Sequence, residues 1–238
     1  MIIISAGFMK SASTLIHDYQ IEIINLVARR NGQKMLEKFS SGRGAAYRGK
    51  LDLKTFVLLV IINFIFGDIA LKTHSGPTFF VRLLVSLGLA KVTYSYRDPR
   101  DVALSMLDHG NRTRQKEGEN FKDNRGFSDV FKVEDAIPKV RQEIDNWYGW
   151  RDFKDVHLVR YEDFMNNKED VLKQMISYLG YEMNALDFDK LLEKYQTVKS
   201  RNFNKGTSGR YKVDMSPDDL ELYNITFSEE LSDMEYAS

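Results

Sequence analysis

The chain has 238 residues, 43% hydrophobic and 29% charged, which fits a soluble globular protein of one large domain or two small ones, and a single domain over residues 1–238 is expected. Its 34 Lys plus Arg balance its 34 Asp plus Glu, so no global field favours nucleic acid or an anionic membrane, and any anion site must be built locally. The absence of cysteine excludes thiol catalysis, disulfides and thiolate metal sites, and fits a reducing, cytoplasmic setting. Ile2–Ser5 is a β-branched run that ends at a Gly-containing loop and predicts a buried strand. Met1–Ile4 is too short, and lacks the basic flank, for a signal peptide. Residues 13–31 predict a helix that Ser13 or Thr14 can cap, with apolar residues recurring at Leu15, Ile16, Tyr19, Ile23 and Val27. Residues 52–66 predict a second helix; its apolar stretch Thr55–Phe66 falls short of the roughly 20 residues that span a bilayer. It reads as a buried helix, with an interfacial helix as the alternative. Ile69–Thr73 predicts a strand, Pro77–Leu87 a helix, Lys91–Tyr96 a strand, and Pro99–Asp108 the start of a helix with proline in its first turn. Residues 109–132 are polar and read as a long loop. Glu134–Trp150 predicts a helix, Val156–Arg160 a fourth strand, and Lys168–Leu179 and Asp187–Tyr195 two further helices. The alternation gives an α/β fold: a central, mainly parallel sheet flanked by helices, with a P-loop-like strand-loop-helix at its start. Ligands of such sheets sit at the carboxyl ends of the strands.

Five short segments lie at such positions. Gly7–Thr14 (GFMKSAST) joins a strand to a helix; helix-start N–H groups, small residues, hydroxyls and Lys10 suit a phosphate. No Gly-Lys-Ser/Thr follows with Walker A spacing, and a capped helix beside a surface lysine is the plainer reading. Lys72-Thr73-His74 closes a strand and could supply a general base, or simply a loop histidine. Arg97–Ser105 (RDPRDVALS) offers a guanidinium for bidentate phosphate binding and a serine eight residues on; a turn salt-bridged from Arg97 to Asp98 or Asp101 is the alternative. Tyr161-Glu162-Asp163 ends a strand and reads as a packed tyrosine with a helix cap. Lys205–Arg210 (KGTSGR) is a Gly-rich basic loop, suited to an anion or merely to the surface.

In order and nearly in spacing, these segments resemble the PAPS-dependent sulfotransferase family, across about residues 2–221. GFMKSAST is similar to the family's YPKSGTTW loop and KTHSGP to its KTHLP. YRDPRDVALS is similar to RNPRDVAVS, VRYEDF carries the YED, and NKGTSGRYK is similar to RKGxxGDWK. The resemblance implies PAPS as co-substrate, PAP as product and no metal. It implies that Lys10, Ser11, Ala12, Ser13 and Thr14 cradle the 5′-phosphosulfate, chiefly through backbone N–H groups. Arg97, Ser105, Lys205 and Gly206 would hold the 3′-phosphate, and Tyr161 would lie near the adenine. His74 would deprotonate the acceptor, with Lys10 and Lys72 at the transferring group. Several positions depart from the pattern: Leu15 stands where the family carries a tryptophan, GRYK replaces GDWK, and Asn204 replaces an arginine, for which Arg201 or Arg210 could substitute. Ser216-Pro217 departs from the usual dimerisation segment, so the oligomeric state stays open. The expected acceptor is a small alcohol or phenol, apolar or lipid-like, with a glycan as the alternative; no nucleic-acid partner is expected. Phe56–Phe66 is a candidate pocket wall, with plain core as its alternative, and Asp108–Phe131 a candidate lid. Trp147, Tyr148 and Trp150 read as core. A P-loop-type kinase and a non-catalytic nucleotide-binding protein are the competing functions.

Overall fold

The computed structural model describes residues 1–39, 47–49, 51–117, 125–196 and 207–236. The chain folds into two compact units, each assembled from two stretches: Met1–Tyr96 with Asn146–Phe203, and Arg97–Asp145 with Asn204–Ser238.

The first unit is built on four parallel strands, β1 (Ile2–Gly7), β2 (Ile69–Lys72), β3 (Ala90–Tyr96) and β4 (Val156–Arg160), in the order β2-β1-β3-β4. β1 and β2 are buried along their whole length, as strands covered on both faces must be. From β1 the chain moves first to one side, to β2, and then across to β3 on the other. The carboxyl end of β1 is therefore the topological switch point, where ligands of such sheets bind. Ile3 and Ala70 point to the face covered by α1 (Ser13–Val27); there Tyr19, Ile23, Phe164 and Leu172 close the core. On the other face Trp150 stacks on Tyr94, with ring centroids 5.8 Å apart.

α1 stops at Val27, short of the predicted residue 31, because Ala28 turns extended. That turn lets Arg30 accept a hydrogen bond from the Asp68 amide at 2.8 Å and Asn31 bridge to Asp68. Backbone pairing beside β2 thus wins over helix propensity. A short helix α2 (Gln33–Lys38), absent from the sequence reading, follows. α3 (Leu53–Phe66) is capped by Asp52, whose carboxylate accepts from the Thr55 amide. It is neither a plain core helix nor a fully buried one. Thr55, Leu59 and Ile62 form its buried stripe, while Val57, Ile61, Phe64 and Ile65 are exposed, Phe64 by 82%. The apolar residues run all round α3, and one stripe is enough to seat it. α4 (Phe79–Ser86) leads into β3.

In the second unit α5 runs over Pro99–Glu117, well past the predicted Asp108, so 109–117 is helix rather than loop. The chain from Gly126 to Val130 folds back on it: Arg114 donates to the carbonyls of Ser128 and Val130, and His109 packs edge-on against Phe127. This tethered return, rather than an open loop, is what the described part of the candidate lid shows; residues 118–124 lie outside the described residues. α6 (Ile137–Arg151) begins in this unit and its residues from Asn146 on belong to the first. In the first unit α7 (Tyr161–Asn166), α8 (Lys168–Leu179) and α9 (Ala185–Gln196) follow β4. The second unit ends with α10 (Tyr211–Asp214), α11 (Pro217–Thr226) and α12 (Ser228–Asp233), and Tyr223 anchors α11 by donating to the Val133 carbonyl at 2.9 Å. α10–α12 were not anticipated from sequence, whereas the helix start weighed at Tyr161–Asp163 is present as α7. Among the described residues, no helix is long and apolar enough to cross a membrane.

Candidate functional site

The loop from Gly7 to Ala12 turns β1 into α1 with two non-glycine residues in the left-handed region, Lys10 at φ 73° and Ala12 at φ 61°. Such conformations cost an L-residue about 1–2 kcal/mol each and persist only where the surroundings impose them. The surroundings here are β3. The Phe8 amide donates to the Ser95 carbonyl at 2.9 Å, and the buried Ser11 hydroxyl lies 2.8 Å from the Ser95 hydroxyl and 2.8 Å from the Phe8 carbonyl. A side chain at Gly7 would meet the Ser95 hydroxyl at 2.1 Å, so only glycine lets the strands close here. The Ser11 hydroxyl thus ties the loop to β3. Ala12, not Ser13 or Thr14, is the N-cap, with no side-chain cap. The first N–H groups of α1 have no acceptor one turn back, and with the helix dipole they form an anion-binding start.

The end of β2 grips this loop at both ends. The His74 Nδ1 lies 2.7 Å from the Gly7 carbonyl oxygen, and the Lys72 ammonium donates to the Thr14 hydroxyl at 2.5 Å. A carbonyl can only accept, so Nδ1 carries the proton and the neutral ring keeps its lone pair at Nε2. Burial, aided by the charge of Lys72 and opposed by the bond to Gly7, pushes the His74 pKa down to about 4. Burial also pushes Lys72 down to about 8, against the pull of Asp18. At neutral pH the strand end therefore presents a neutral imidazole two residues from an ammonium. Behind it, the Trp150 indole N–H donates to the Ser75 carbonyl at 3.0 Å and Asn146 donates to the His74 carbonyl at 3.3 Å. The Tyr47 ring sits 5.7 Å from the imidazole. Trp147 and Trp150 are buried, as a core reading requires, while Tyr148 is only partly buried. Sequence reasoning missed Ser95, Asn146 and Tyr47. Only Ser95 carried a usable signal, as a small polar residue in a β-rich run.

Tyr161 is buried at the start of α7, one residue beyond β4. Leu15, in the family's tryptophan position, is buried in the core under α1.

In the second unit, Arg97 is buried and donates from one terminal nitrogen to Asp101 at 3.1 Å and to the Thr207 carbonyl at 2.9 Å. The Arg97–Asp101 pairing weighed from the sequence is present, and Asp98 pairs with Arg100 instead. Ser105 is buried on α5. Arg210, one of the two candidates to replace the missing arginine, is paired with Asp108 and Asp214. Lys205, Gly206, Asn204 and Arg201 lie outside the described residues. Among those described, no group of three or more His, Asp or Glu could hold a metal ion.

The structure thus brings Gly7, the Lys10 loop, Thr14, Lys72 and His74 together at the switch point of the sheet. That is a proton acceptor and a cation beside an anion-binding helix start. Residues 69–235 match the family model of the sulfotransferase domain. An amine sulfotransferase of the rabbit, Oryctolagus cuniculus, is 22% identical over 168 residues, covering 60% of this chain. The match spans only 55% of the rabbit protein's length. Among solved structures, a mouse sulfotransferase complexed with PAP shares the fold with a TM-score of 0.61 at 16% identity, covering 99% of this chain and 89% of that one. Retinol dehydratase in complex with androsterone and PAP gives 0.58 at 13% identity, covering 100% and 82%. At such identities the likeness speaks for the fold.

Proposed function

The chain belongs to the sulfotransferase family, and we propose that it transfers the sulfuryl group of PAPS to a hydroxyl of a small apolar acceptor, with His74 as the base. The observation that carries this reading is the hydrogen bond from His74 Nδ1 to the Gly7 carbonyl, which sets the tautomer of the ring beside the Lys10 loop and leaves the Nε2 lone pair free, while burial keeps the ring neutral. The residues present fit a 5′-phosphosulfate: two left-handed residues open the loop at a helix start, and Lys72 reaches its far end at Thr14. PAPS would supply the sulfuryl group. Backbone N–H groups of Ser11, Ala12, Ser13 and Thr14 would hold its 5′ side. Lys10 would neutralise charge on the oxygen that leaves, and Lys72 would stabilise the group in transfer. His74 takes the acceptor's hydroxyl proton at Nε2 as the new S–O bond forms. Arg97 and Ser105, with Lys205 and Gly206, would take the 3′-phosphate, and Tyr161 the adenine side. Transfer of this kind draws its rate from positioning and charge stabilisation. The solved relatives that hold androsterone or retinol support an apolar acceptor for this chain.

The test is His74→Ala, assayed by labelled-PAPS transfer over alcohols, phenols, lipids and sugars and by thermal shift with PAP. We expect PAP stabilisation to persist and transfer to fall by about 10²-fold or more, the scale of a lost general base. Undiminished turnover would remove His74 from the mechanism. Stabilisation by ATP with Mg²⁺ and not by PAP would favour a kinase.

A further inference from the structure

We propose that Asp101 is the positioning residue of the 3′-phosphate half of the site, setting Arg97 and the chain at Gly209–Tyr211 in one arrangement. The inference rests on the reading of Arg97 as a ligand of that phosphate. Asp101 lies in the first turn of α5 and is fully buried. One carboxylate oxygen accepts from the Arg97 guanidinium at 3.1 Å and from the Gly209 amide at 2.8 Å. The other accepts from the Tyr211 amide at 3.0 Å. Arg97 also donates to the Thr207 carbonyl at 2.9 Å. One carboxylate thus joins the guanidinium to a segment more than a hundred residues away, directly after Lys205 and Gly206 in the sequence. Gly209 meets Asp101 in the left-handed region, at φ 71°, where glycine alone is unstrained.

A buried carboxylate is costly unless several donors satisfy it, and here three do. Two neighbouring pairings tighten the same segment. Arg100, bonded through two nitrogens to Asp98, lies over the Tyr211 ring at 3.8 Å, and Arg210 is tied to Asp108 on α5. The guanidinium is a rigid planar fork, so a carboxylate that takes one terminal nitrogen fixes the plane of the remaining donors. An arginine held in this way meets a phosphate without first losing its own freedom, and that saving appears as affinity. Asp101 acts through Arg97 and the Gly209–Tyr211 backbone, not by touching the nucleotide, since a carboxylate facing a phosphate would repel it.

The experiment compares PAP with 5′-AMP, which lacks the 3′-phosphate, on the full chain by calorimetry or thermal shift. Wild type is expected to prefer PAP. Asp101→Asn and Asp101→Ala are expected to weaken PAP about tenfold or more while 5′-AMP changes by less than about twofold, the scale of one charge-assisted contact. Equal losses for both nucleotides would reduce Asp101 to a fold-stabilising residue, and no loss would remove it altogether; either overturns the inference while leaving the 3′-phosphate reading intact. A wild type that does not distinguish the nucleotides overturns that reading, and the inference with it. Should neither variant unfold cooperatively, amide exchange on wild type decides. The Gly209 and Tyr211 amides should exchange slowly, and more slowly still with PAP than with 5′-AMP. Rapid exchange, or equal protection by both nucleotides, refutes the proposal.

Discussion

His74 and Lys72 are two residues apart, yet each is shifted toward its neutral form, to about 4 and about 8. A base must be unprotonated to act, so in the proposed roles His74 would work above its folded pKa and Lys72 would stabilise charge only below its own. The free protein's kcat/KM for transfer should therefore be flat between these values, falling below about 4 and above about 8. Lys72→Arg retains the cation at high pH, so the alkaline fall should disappear while the acid one stays. An acid limb near 6.5 would show an unshifted histidine and sink the assignment. The residues of this pair were legible in the sequence because both close one strand. Their geometry was not, since nothing local reveals that the imidazole meets Gly7, 67 residues earlier. Arg97 shows the reverse case. Its partner Asp101 sits one helical turn away and could be weighed from spacing, but the two distant amides that share that carboxylate could not.

The start of α1 is the element most at odds with local preference. Ala12 caps it in the left-handed region without a side-chain bond, because Ser11 is spent on β3 and Thr14 accepts from Lys72. Glycine adopts that backbone conformation without the clash, so Ala12→Gly should raise unfolding stability by about 1 kcal/mol in urea titration, with PAP binding kept. A loss of stability would mean that Ala12 is not strained. The strands and long helices were readable from their periodicity. The ends of α1 and α5 were not: tertiary pairing cut the first short at Val27, and a polar surface on α5 resembled a loop up to Glu117. The short α7 and α10–α12 lack the length that makes a helical period visible.

For the molecule as a whole, the alternation of strands and helices gave the parallel sheet, but not the strand order, which depends on where each crossover returns. The two compact units were also hidden, since each interleaves two stretches of sequence. Global stability should carry an acid signature from His17. This ring is fully buried in α1, its nitrogens have no hydrogen-bond partner among the described residues, and burial, with the charge of Lys72, lowers its pKa to about 3. The unfolded chain takes up that proton below about 6.5 while the folded one refuses it until about 3. The stability His17 permits is thus complete above 6.5 and lost as pH falls through that window. Replacing it, as in His17→Leu, removes one such proton and should flatten the decline of the urea midpoint between pH 7 and 5. An unchanged slope would place the acid sensitivity elsewhere.

The clasp of β2 on the loop has a consequence for recombination among relatives. A crossover placed between Thr14 and Ile69 would take the loop from one parent and the imidazole from another. The hybrid would inherit a correctly tautomeric histidine only if the donor strand delivered its ring to the recipient's Gly7 carbonyl. New acceptor preferences are better grafted outside residues 7–14 and 69–75, because those two segments pass on their chemistry only as a pair.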